Sequence, residues 1–132
     1  MGTLDEKREM KEAQDSWLPE KNKVLGELSG GGRMKFEVDW GTFTGDLQGM
    51  NWLEVNGAQQ VVNAFRMIGT DDLGKEALRE SVKRIVVRNV PDEKAKSMAL
   101  DGGVLTLACA CAKSPGGRYG HDQIRDFLMS KM

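Results

Sequence analysis

Residues 98–112 read Met98-Ala99-Leu100-Asp101-Gly102-Gly103-Val104-Leu105-Thr106-Leu107-Ala108-Cys109-Ala110-Cys111-Ala112, and this stretch decides the fold class. Asp-Gly between two apolar runs is a strong short-range hairpin signal, because tight hairpin turns need positive φ. The second arm alternates in space. Leu105, Leu107, Cys109 and Cys111 face one way, and Val104, Thr106, Ala108, Ala110 and Ala112 the other. Neither set is charged, so the arm is expected to be a central strand covered on both sides. Its shallow alanine face would let a helix or another subunit approach closely.

Working outward, Ile85-Val86-Val87-Arg88-Asn89-Val90 is β-branched, ends at Pro91 and predicts a further strand. Met34-Lys35-Phe36-Glu37-Val38-Asp39-Trp40 alternates apolar and charged residues over seven positions, which predicts a half-buried strand. Helical spacing appears elsewhere. Residues 4–28 form two helical pieces broken near Pro19, with Met10, Ala13 and Trp17 on the first and Val24, Leu25 and Leu28 on the second. Asn56 followed by Gln59 suggests a capping box, ahead of a stripe of Ala58, Val61, Val62, Phe65 and Ile68. A second stripe, Leu73, Ala77, Leu78, Val82 and Ile85, follows the caps offered by Thr70, Asp71 and Asp72. Asp122 is expected to cap a last helix with Ile124, Phe127 and Leu128 inward. Residues 41–55, punctuated by Gly41, Gly45 and Gly49, read as loop with a short helical turn.

The expected fold is therefore α+β: a mainly antiparallel sheet of three or four strands with helices packed on it. Residues 1–29 form an N-terminal helical arm and residues 30–132 a single α+β domain, a division consistent with a chain of 132 residues. Glycine stands out, at 16 positions against a usual level of about 7%. Most of these are punctuation at helix ends and turns. Gly30-Gly31-Gly32 follows a helix and precedes a strand, the reverse of the order in a phosphate-cradling loop.

Composition removes several functions. Nineteen Lys and Arg against twenty Asp and Glu give a net charge of -1, without the basic field that nucleic acids or anionic membranes attract. The bases Lys75, Arg79, Lys83, Arg84 and Arg88 are interleaved with Glu76 and Glu80, as on a solvated helix face. A single histidine, His121, excludes sites that need two. No apolar run reaches the roughly 18 residues of a membrane span, and the charged amino terminus lacks a signal-peptide core. Two cysteines make no disulfide framework, so a reducing, cytoplasmic setting is expected.

Three features carry chemistry. Cys109 and Cys111 sit on one side of a strand; with His121 they would supply three metal ligands, though buried packing is the plainer reading of such thiols. The loop Ser114–Asp122 connects a strand to a helix, the topology of an anion site at a helix amino terminus. Within it Gly117, Arg118, Tyr119, Gly120 and His121 are the candidate ligand-binding residues. Trp17, Trp40 and Trp52 read as core or interface anchors. No catalytic residue, metal site or cofactor is assigned. The chain is read first as a non-catalytic domain that binds a protein partner or a second copy of itself. The alternative is a small-molecule, anion-binding or enzymatic domain that uses residues 114–122 with Cys109, Cys111 and His121.

Overall fold

The computed structural model describes residues 2–31, 34–113 and 116–132. Two helices open the chain, α1 (Leu4–Asp15) and α2 (Trp17–Leu28). Thr3 caps α1, its hydroxyl accepting from the Glu6 N–H. The break falls at Ser16, whose hydroxyl and N–H both bond the Glu12 carbonyl, so Pro19 sits in the first turn of α2, where a missing N–H costs nothing. Ala13 and Leu25 belong to the same buried cluster as the sheet residues Phe36 and Ile85.

Strand β1 (Lys35–Val38) leads through a 3-10 turn (Trp40–Phe43) to α3 (Leu47–Leu53), a π-helical turn (Glu54–Ala58) and α4 (Gln59–Ile68). Helix α5 (Asp72–Ser81) precedes β2 (Arg84–Asn89); β3 (Ser97–Asp101) and β4 (Val104–Cys109) form the hairpin, and α6 (His121–Lys131) ends the chain. Strand order is β1-β2-β4-β3. At the hairpin turn Asp101 pairs with Val104, leaving Gly102 and Gly103 between them at φ 59 and 83. Two glycines take consecutive positive φ angles without strain.

The fold is α+β with a four-stranded sheet, but the sheet is mixed and mostly parallel, not mainly antiparallel. β1 with β2 and β2 with β4 are parallel; only β3 with β4 is antiparallel. The reason lies in the connections. The 39–83 segment crosses one face of the sheet as helix and returns β2 in the direction of β1. The hairpin then inserts β4 between β2 and β3.

The expected capping box at Asn56 is also corrected. Asp46 caps the helix ten residues earlier, its carboxylate accepting from Gly49 N–H at 2.9 Å. Helix runs from Leu47 to Ile68 through the π-turn, where Gln59 N–H bonds Glu54 O, so Asn56 is an interior residue, only 1% exposed. The last helix is likewise capped two residues early: Gly120, not Asp122, is the N-cap, with its N–H on Gln123 Oε1 at 2.9 Å. Leu73, expected inward, is 77% exposed because it lies in the first turn of α5, whereas Leu78, Val82 and Ile85 are buried.

Helices α2, α4 and α6 pack on the sheet face formed by Phe36, Ile85, Val87, Leu105 and Leu107, all buried. β4 is central as expected; on its opposite side Val104 and Thr106 are half-buried and Ala108 is buried.

Candidate functional site

The loop singled out in the sequence folds back on the strand it leaves. Ser114 and Pro115 lie outside the described residues. Gly117 O accepts from Ala110 N–H and Gly117 N–H bonds Lys113 O. A Cβ at Gly117 would stand 2.3 Å from Ala110 O, so close backbone approach accounts for this glycine. Lys96 Nζ reaches the carbonyls of Gly116 and Arg118 at 3.1 and 3.4 Å and lies 4.9 Å from the centre of the Tyr119 ring. Tyr119 is thus engaged by a cation from within the chain. His121 N–H donates to Gln60 Oε1 at 3.0 Å, with Nδ1 at 3.3 Å from the same oxygen. Gln60 is buried and its Nε2 donates to Val55 O. Gly117–His121 are therefore brought together mainly by contacts to Ala110, Lys96 and Gln60.

Both thiols are free and buried. Burial pushes Cys109 up to about 11, against smaller lowering effects of a Tyr119 backbone hydrogen bond and the Lys96 charge. Burial pushes Cys111 up to about 12, with Cys109 and Asp46 adding to it. Both are neutral thiols at neutral pH and lack nucleophilic character there. Among the described residues no group of three or more His, Cys, Asp or Glu is placed to hold a metal ion, so Cys109, Cys111 and His121 do not assemble as a ligand set.

A polar cleft that sequence reading missed lies beyond the carboxyl ends of the three parallel strands β1, β2 and β4. Its volume is about 420 Å³. Thr42, Thr44, Asp46 and Gln48 line it from the β1 side, Asn89, Val90 and Pro91 from the end of β2, and Ala112 and Lys113 from the chain after β4. Asn89 organises this end of the sheet. Its Nδ2 donates to Asp46 Oδ2 at 2.8 Å and to Thr42 O at 3.4 Å, its N–H to Thr42 Oγ1 at 2.9 Å, and its Oδ1 accepts from Cys111 N–H at 3.3 Å. Cys111 O in turn accepts from Asn56 Nδ2 at 2.8 Å. Asn56 Oδ1 has no partner among the described residues. Crevices at the carboxyl ends of parallel strands are where such sheets hold ligands. A signal was present in Asn89, an amide side chain near the end of a β-branched run.

The sheet face opposite the helices is open. Lys35, Arg84, Arg88, Ser97, Ala99 and Asp101 on it are exposed, Val86, Val104 and Thr106 are half-buried, and Ala108 is buried. Glu37 pairs with Arg84, and Asp39 with Arg88 at 3.2 Å. The basic run seen in the sequence is therefore divided: Arg84 and Arg88 pair on this face, while Arg79 bonds the Ser29 and Gly30 carbonyls at the end of α2. A hollow of about 520 Å³ borders the β1 end of the face, with Gln14 and Trp40 on its rim. Elsewhere Met67, Leu73, Met129 and Met132 surround a shallow apolar groove between the ends of α4, α5 and α6.

Trp17 packs edge-on against Phe36 and Trp40 lies tilted against Phe43, at centroid distances of 6.4 and 6.1 Å, whereas Trp52 is exposed. No described helix is long and apolar enough to cross a membrane. No protein-family model matches this chain, nor does any curated protein or solved structure.

Proposed function

We propose that this chain works by binding protein through the open face of its sheet, and that the partner is a second copy of itself. The observation that carries this reading is the uncharged middle of that face. Val86, Val104 and Thr106 line up there across β2 and β4, on the side away from α2, α4 and α6. β-Branched side chains on a pleated surface suit face-to-face packing with another sheet, at a spacing of about 10 Å. The charges around the strip favour a like partner. Lys35, Arg84 and Arg88 balance Glu37, Asp39 and Asp101, three against three, so two copies meet without a net repulsive field. A two-fold arrangement would place the same patch on both sides of the contact.

Sedimentation equilibrium up to about 100 µM protein tests this. The expected result is a dimer for the natural sequence. Thr106→Lys and Ala99→Glu, both on the open face, should give monomers with unchanged circular dichroism. A monomeric natural chain over the whole range overturns the reading.

A further inference from the structure

The cleft at the strand ends holds two opposite charges that do not neutralise each other. Asp46, at the start of α3, and Lys113, after β4, are the charged residues among those lining it. Neither makes an ion pair among the described residues. Asp46 is held firmly. One carboxylate oxygen accepts from Gly49 N–H and the other from Asn89 Nδ2, and Asn89 is itself anchored to Thr42 and Cys111. A carboxylate offers about four acceptor positions, so capacity remains on both oxygens after these two bonds. The volume, about 420 Å³, falls in the range of small-molecule sites, about 300–1,000 Å³.

We propose that this cleft binds a small zwitterion of the free amino-acid type. Asp46 receives the ligand's ammonium group, Lys113 its carboxylate, and the ligand's side chain lies along Val90 and Pro91. A single lysine in a cleft that also holds a carboxylate disfavours a phosphate or nucleotide, whose charge needs several cations or a fork of donors. The hydrogen-bond network that leads inward from the cleft supports the assignment. It runs from Asp46 through Asn89 and Cys111 to Asn56, whose Oδ1 is left without a partner inside a π-turn. π-Turns are frequent at functional sites, and a buried polar atom without a partner among the described residues calls for an explanation.

The test is thermal unfolding of the full chain with each of the twenty free amino acids, one at a time, at about 10 mM. At least one should raise the melting temperature, and titration calorimetry should then give its Kd. Lys113→Met, at an exposed position, should weaken that Kd at least about tenfold while leaving the unliganded melting temperature unchanged. Asp46→Asn keeps a capping side chain and should weaken it similarly. The amide of the same amino acid, which lacks the carboxylate, should not bind. No response to any amino acid, unchanged affinity in Lys113→Met, or a response to inorganic phosphate alone would each overturn the proposal.

Discussion

The carboxylate of Glu6 accepts a hydrogen bond from the backbone N–H of Gly45 at 2.9 Å, across 39 positions of sequence. The bond ties the first turn of α1 to the loop that precedes α3, and the Glu6 side chain is buried beneath it, at 5% exposure. The Gly45 N–H holds the Glu6 carboxyl below its ordinary range against the opposing effect of burial, and Thr3 assists. A carboxyl whose folded pKa is lowered adds stability that is present above its unfolded value. That stability is lost as pH falls through the folded value. Glu6→Gln should therefore be less stable than the natural chain at neutral pH, and the gap should close in acid. Urea titrations between about pH 7 and pH 3 measure it.

Asn56 donates to Cys111 O from a fully buried position. Asn56→Ala leaves that carbonyl without its partner and should destabilise by about 1–3 kcal/mol. Asn56→Asp should be worse at neutral pH, since a carboxylate there would face a carbonyl oxygen. The deficit of Asn56→Asp should shrink in acid, where a protonated carboxyl can donate. Chemical denaturation at two pH values separates these outcomes.

Gly69 sits where α4 meets the end of α2. A Cβ added there would lie 2.6 Å from Leu28 O and 3.0 Å from Phe65 O. Both neighbours are backbone, so the helices must part, and Gly69→Ala should cost about 1–3 kcal/mol. Gly41→Ala is the control. Its nearest neighbour would be Asp39 Oδ1 at 3.7 Å, and its stability should stay within about 0.5 kcal/mol of the natural chain.

Cys109 and Cys111, raised to about 11 and about 12 by burial, should resist an aromatic disulfide reagent in the native chain near pH 8. Both should react promptly in denaturant. The count of thiols labelled before and after unfolding is the readout, and rapid native labelling of either would contradict the buried, neutral state described above.

Local signals were legible wherever chemistry between near neighbours decides the structure. Gly102 and Gly103 announce their turn because positive φ is a property of single residues, and Val61, Val62, Phe65 and Ile68 announce their helix by spacing. Strand direction was illegible. It depends on where the chain goes between residues 39 and 83, not on the composition of β1 or β2. Helix α3 was hidden by its own glycine. A Cβ at Gly49 would stand 2.5 Å from the capping carboxylate of Asp46, so a residue that reads as punctuation is part of a cap. The cleft could not be read either, because Asp46, Asn89 and Lys113 come from three separated segments that only the sheet edge brings together. Tyr119 and His121 looked available as ligands in the sequence because Lys96 and Gln60, which engage them, are distant along the chain.

The π-turn at Glu54–Ala58 acts as an angular gear in the long helix that contains it. Each residue of a regular helix turns the axis by about 100°, and the widened turn accommodates one residue more than a regular turn. Were all its residues wound as regular helix instead, the half after the turn would rotate against the half before it by about that angle. Met50 and Leu53 could then no longer share a side with Val61 and Phe65, all four of which are now buried. Gln60 would swing away from His121. The turn thus takes up one residue that a regular helix would spend as rotation, and so keeps both halves of the helix facing the core.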